Sequence, residues 1–401
     1  MVTAVEAVQP RRISLLLGAL VMTGALLVGL AFGARLGLLM IVGALLGVSL
    51  YHAAFGFTAA WRVFISERRG RGLRAQMVML AIAVVLFFPA LGAGTLWGQS
   101  VSGFVAPIGV SVVVGAFLFG IGMQLGGGCA SGTLFTAGGG NARMAITLLF
   151  FIVGSLIGTA HFAWWMGLPA LEPVSLVATF GAGGGIAVSL ALFGAIAVLT
   201  VLLEKHRHGR LEEAPRANFS QGRWFTGPWP LLFGAVALAL LNFTTLALAG
   251  RPWGITSAFA LWGAKAYEFI GGDVSQWSYW QSPGNAAALE ASVWSDITTV
   301  MNVGIILGAM VAATLAGRFA PTLRIPLGSV MAAIIGGLML GYGARLAFGC
   351  NIGAYFSGIA SGSLHGWVWL VAGFAGNMLG VRLRPWFFDR PPSNRTRAKV
   401  S

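Results

Sequence analysis

The chain has 401 residues, of which 57% are hydrophobic and only 9% charged, with a formal net charge of +14. So few charges cannot coat a soluble protein of this size, and several apolar runs approach or reach the ~20 residues that cross a bilayer. The basic excess fits the cytoplasmic loops of a membrane protein better than a nucleic-acid surface, and two cysteines cannot build a disulfide framework.

A basic tail, residues 1–12, leads into a first span at Ile13–Phe32, which is long and lacks a clear signal-peptide cleavage site. A short second span, Leu36–Leu50, precedes the stretch Phe55–Arg62, which is too short to cross and suits a re-entrant or broken helix. The basic loop 67–74 is expected in the cytoplasm. Spans at Met77–Leu96 and Ile108–Leu125 lead to the first cysteine, and residues 138–143 return the chain to the cytoplasmic side. Spans at Ala145–Trp165 and Ser175–Leu203 follow, the glycine run Gly181–Gly185 reading as helix packing. Residues 204–228 carry Lys205, Arg207, Arg210, Arg216 and Arg223 and read as a cytoplasmic linker. The second half runs through a span at Trp229–Leu248, a short stretch at Trp253–Ala260 and an outer segment, 271–296, without Lys or Arg. Spans at Ile297–Ala316 and Ile325–Leu346, the second cysteine, a last span at Trp367–Val381 and a basic tail complete the chain.

Ten spans with the N-terminus inside put the basic loops 67–74, 141–143, 204–224, 318–324 and 382–399 on one side. Each half then has the order span, short dip, span, span, cysteine dip, span, and the dips of the two halves enter from opposite faces. The expected architecture is an all-α polytopic membrane protein of two inverted-topology repeats with re-entrant half-helices, the usual plan of a transporter whose site lies between the repeats. Its parts are an N-terminal tail and additional span (1–35), a first repeat (36–203), the linker (204–228), a second repeat (229–382) and a basic cytoplasmic tail (383–401).

One stretch occurs twice. With a constant offset of 221, Gly120, Gly122, Gly128, Cys129 and Gly132 fall on Gly341, Gly343, Gly349, Cys350 and Gly353, and these are the only two cysteines. Glycines at the end of a span weaken the helix, and backbone loosened at membrane depth must be buried in protein or line a wet cavity. The residues after each cysteine would start half-helices whose free N–H groups and positive dipole ends favour an anion. A thiol is a weak donor and a polarizable acceptor, which suits a soft sulfur anion better than a hard oxyanion. The candidate path is therefore Cys129 and Cys350 with Gly128 and Gly349 beside them. Ser131, Thr133 and Asn351 either hydrogen-bond the anion or cap the half-helices. Arg345 either attracts the anion or snorkels to the surface. Arg251 and Lys265 flank the outer dip as possible funnel charges, whereas Arg62 and Arg143 read as positive-inside residues. Met123, Met339, Phe348 and Phe135 line the path or fill the core, and His365 caps a helix or sits at the mouth.

The five histidines are scattered, so neither a metal nor a cofactor is expected, and no Asp or Glu beside the motifs offers a proton relay or sodium site. A membrane sulfurtransferase or thiol redox protein is the enzyme alternative, but it needs a base or acceptor near the thiol, and none adjoins either cysteine in sequence. A passive channel or scaffold with structural thiols is the third reading.

The stretches GGGCASGTL around Cys129 and GARLAFGCNIGA around Cys350 resemble the two signature motifs of the YeeE/YedE family of bacterial inner-membrane proteins, over roughly residues 36–382. The resemblance implies uptake of a sulfur compound, thiosulfate above all, through an inverted-repeat helical fold with cysteines along the conduction path. It implies a transporter rather than an enzyme, embedded in the lipid bilayer with both termini cytoplasmic, no nucleic acid, and a possible soluble sulfur-carrier or rhodanese-like partner. Many members carry a third cysteine in a pattern that falls here on Ala54–Arg62, with Gly56 in the cysteine's place. Some relatives are linked to selenium metabolism, so a related sulfur or selenium compound is the alternative substrate.

Overall fold

The computed structural model describes residues 10–213, 223–319, 321 and 324–388. Most of the basic N-terminal tail, Arg216 of the linker and the C-terminal tail from residue 389 lie outside the described residues. Among the described residues the structure is all-α apart from short two-residue strand pairs, and ten helical segments are long and apolar enough to cross a membrane. This is a polytopic membrane protein.

The first helices are α1 (Pro10–Phe32), α2 (Ala34–Ala53), the short α3 (Phe57–Glu67), α4 (Arg71–Ala93) and α5 (Val110–Gly126). The cysteine helix α6 (Ala130–Gly138) and α7 (Ala142–Ala160) follow. Next come α8 (Leu176–His208), α9 (Leu231–Ala249), the short α10 (Thr256–Phe269), α11 (Ile297–Leu315) and α12 (Leu327–Leu346). After Cys350 the chain winds as a π turn, Asn351–Ser357, and a single α turn, Gly358–Ala360, before α13 (Leu364–Leu383). The glycine run in α8 does more than pack: Gly185 sits against Phe88, but Gly181 takes a φ of 68° and interrupts the helix.

Two faces follow from the loop contacts. On one, Arg69 and Arg74 pair with Glu204, Gly140 meets Phe319, and Gly328 meets Phe387. On the other, Ser102 N donates to Gly250 O, Ile108 pairs with Leu171, and Leu176 N donates to Gly362 O. The first face gathers the arginine-rich loops and is called the basic face below.

Helix pairing has an internal two-fold pattern. α2 packs on α11 and α9 on α4; α5 packs on α13 and α12 on α7; α5 and α12 pack on each other, as do α2 and α9. The outlying α1 packs on α11 as α8 packs on α4. Lipid supplies no hydrophobic drive between helices, so small residues that let backbones approach carry the packing. A Cβ on Gly120 would overlap the Gly373 carbonyl and crowd Asn377 N. Its counterpart on Gly341 would overlap the Phe151 carbonyl and crowd Ser155 N. Gly376 lies on Phe117 as Gly154 lies on Leu338. By contrast, α1 and α8 present large apolar surfaces outward, with Leu30 75% exposed, as expected of helices facing acyl chains.

Candidate functional site

Both cysteines end a helix interruption built from positive-φ residues. After α5, Gly127 takes a φ of 89° and its N–H closes on Met123 O at 3.0 Å, the left-handed stop that glycine favours. Gly128 and extended Cys129 follow, and α6 begins. After α12 the equivalent left-handed residue is Phe348, at φ 55°, followed by Gly349 at φ 150° and extended Cys350. An aromatic residue in that region is strained, by roughly 1–2 kcal/mol. The Cys350 carbonyl accepts from Ala354 N at 2.8 Å and Tyr355 N at 3.3 Å. The second of these bonds gives the π register, which recurs at functional sites.

The thiols are 1% and 0% exposed and both are free. Cys129 Sγ lies 3.4 Å from Ser131 Oγ, and Cys350 Sγ accepts from Ile352 N at 3.4 Å. α6 packs against the π turn, so the two cysteine segments meet inside the bundle. Thr133 Oγ1 donates back to Cys129 O at 2.9 Å, an i to i−4 bond within the helix rather than a cap. Asn351 differs: it is fully buried, and neither its Oδ1 nor its Nδ2 has a partner. A buried amide left open on both sides is costly and is available to a ligand.

A cavity of about 350 Å³ opens between the loops of the face opposite the basic one. Arg345, Phe348, Gly349, Gly353 and Ser357 line its inner end, with Arg251, Thr256 and Tyr279 on its walls. Gly349 and Gly353 flank Cys350, so the cavity reaches the second cysteine motif. Arg345 is only 7% exposed and does not snorkel. Its Nη1 donates to Tyr279 Oη at 2.8 Å and its Nη2 to Thr256 Oγ1 at 2.7 Å, while Nε has no partner. Among the described residues no carboxylate pairs with it. Two hydroxyls and the Tyr279 ring hold this buried guanidinium, and its Nε keeps a donor that a ligand could take up. Arg251 stands at the rim, 4.0 Å from Asp296.

A second cavity, about 290 Å³, opens on the basic face. It is lined by Phe55, Gly56, Ala59, Arg69, Arg71 and Gln76, with Glu212 near Arg71. The short helices α3 and α10 begin at these two cavities, one at each face.

The remaining candidates divide. Lys265 lines neither cavity. Arg143 is tied to Leu125 O and Ser329 O and covered by the Phe388 ring. His365 is buried behind Phe348, with Nε2 3.0 Å from Ala347 O. Met123 is core, its sulfur 3.5 Å from Asn377 Nδ2. Gln76, Asn242 and Ser357 were not singled out from sequence. The signal was present for Gln76 and Asn242, each a lone amide in an otherwise apolar span.

A family model described as sulphur transport matches residues 52–379. The thiosulfate transporter TsuA of Spirochaeta thermophila is 29% identical over 351 residues, 84% of this chain and 96% of that protein. The thiosulfate transporter TsuA of Escherichia coli K12 is 25% identical over 375 residues, 89% of this chain and 96% of its own length. The probable transporter YedE of Escherichia coli K12 is 33% identical over 161 residues, which is 40% of this chain and 39% of that protein.

Proposed function

This chain belongs to the sulphur transport family, and we propose that the anion it carries is thiosulfate, taken up across a bacterial inner membrane past Cys350 and then Cys129. The observation that carries this reading is Arg345, a buried guanidinium with no carboxylate partner among the described residues, facing a cavity lined by Gly349 and Gly353 on either side of Cys350. Charge-assisted hydrogen bonds from Arg345 would hold the sulfonate oxygens. The softer terminal sulfur would then meet the polarizable thiol of Cys350, and the open amide of Asn351 adds donors and an acceptor at the next step. Ser131 beside the Cys129 thiol would serve the second half of the path. Weak contacts in series are what conduction needs, since each must be favourable enough to enter and weak enough to leave.

The reciprocal helix contacts favour an inverted repeat with α3 and α10 as re-entrant segments. In this reading α1–α7 form one half and α8–α13 the other, since α1 and α8 hold matching places. The arginine-rich loops favour a cytoplasmic basic face. A soluble sulfur-carrier or rhodanese-like protein would receive the anion there.

Uptake of labelled thiosulfate into proteoliposomes, with sulfate, selenite and selenate as competitors, tests the proposal. Saturable uptake that sulfate does not inhibit is expected. Equal inhibition by sulfate, or no thiosulfate flux, would overturn it.

A further inference from the structure

Gln76 sits on α4, 1% exposed, at the inner end of the basic-face cavity. Its Oε1 accepts from Trp61 Nε1 at 3.0 Å and from Tyr355 Oη at 3.4 Å. An indole N–H can only donate, so the atom facing Trp61 must be the amide oxygen. That fixes the NH2 group on the other side, and its Nε2 is buried without a partner.

Tyr355 belongs to the π turn that follows Cys350. The opposite cavity is lined by Gly353 and Ser357 of the same turn. One turn of backbone thus stands between the two cavities, with Arg345 on one side and Gln76 on the other. Beside Gln76 the wall is bare: Phe55, Ala59 and Ala60 are apolar and Gly56 has no side chain. The cavity's arginines, Arg69 and Arg71, lie near Glu204 and Glu212 respectively. Among the described side chains that line this cavity, the Gln76 Nε2 group is a buried donor without a partner.

Resting on the thiosulfate reading above, we propose that Gln76 is a substrate-binding residue at the cytoplasmic end of the path. Its two N–H bonds receive the oxygens of the anion after the thiols have passed it on. Trp61 and Tyr355 are positioning residues that hold the amide with its donors toward the cavity. The class of ligand is a small oxygen-bearing anion, because a fixed pair of N–H donors offers nothing to a cation.

The test compares Gln76→Glu and Gln76→Met with the wild type. Glu keeps an oxygen for Trp61 and Tyr355 but replaces both donors with an acceptor; Met keeps the volume and removes the polar group. Each variant is made with and without Gly56→Cys, in a chain whose native cysteines are left in place because both are buried. Thiosulfate is expected to slow maleimide labelling of the residue-56 thiol from the basic face, and both Gln76 variants are expected to remove that protection. Their uptake should fall roughly tenfold or more, one charge-assisted hydrogen bond in size. Trp61→Phe removes one of the two bonds that orient the amide, and with Tyr355 still in place it should weaken protection and uptake by a smaller factor than either Gln76 variant. If protection and uptake persist in both variants while the wild type carries thiosulfate, the Gln76 proposal is wrong and the transport reading stands. If the wild type neither carries thiosulfate nor is protected by it, both fall.

Discussion

Arg345 and Gln124 occupy equivalent positions, 221 residues apart, and each reaches a threonine at the head of a short helix. Arg345 Nη2 donates to Thr256 Oγ1 at 2.7 Å, and Gln124 Nε2 donates to Thr58 O at 3.2 Å. One half thus holds a buried charge where the other holds a neutral amide. The matched positions share a frame but not an electrostatic character, and the proposed capture site lies where the charge is.

Arg345→Gln would make the halves alike at this position. Uptake at low thiosulfate is expected to fall about tenfold or more through a higher KM, since a charged hydrogen bond contributes about 1.5–3 kcal/mol. Folding should not suffer in proportion, because a buried charge with no carboxylate partner is itself costly. KM from proteoliposome uptake and thermal unfolding in detergent check the two parts separately.

Cys350→Ala and Cys129→Ala should each slow uptake strongly while costing only about 1 kcal/mol of stability, since each removes one small buried group with weak sulfur contacts. Normal uptake by both variants would remove the thiols from the path.

Gly56→Cys should fold normally. The residue has a φ of −105°, and a Cβ there would lie 3.6 Å from its nearest neighbour, Ala59. A membrane-impermeant maleimide should label this thiol in inside-out vesicles and not in right-side-out ones. The reverse pattern would invert the proposed orientation.

Gly120→Ala and Gly341→Ala should be equally damaging, because each added methyl meets a backbone carbonyl across a helix pair. Overpacking of this kind costs about 1–3 kcal/mol or more. Folded yield in detergent, compared with Gly56→Ala as a tolerant control, measures it.

Much of the frame was legible in the sequence. The ten spans could be found because apolar length is a strong signal, and both cysteine interruptions were marked by their glycines. Three things were not legible. The left-handed backbone at Phe348 carries no glycine, although its counterpart Gly127 does. The matching places of α1 and α8 rest on helix contacts alone, with no shared motif to announce them. That Asn351 does not cap its turn depended on which of its atoms found partners, which sequence does not show.

The glycine contacts bear on how such a molecule could work. α5 lies against α13 and α7 against α12, with carbonyls of one helix resting on glycines of the other. The halves are therefore laced together like the fingers of two clasped hands. A cycle in which one half swings as a body would have to pull every such contact apart. The less costly motion leaves the clasp closed and turns only what fills the middle: the Phe348 ring and the turn that carries Cys350. On this mechanics the molecule is closer to a turnstile set in a fixed wall than to a pair of swinging doors.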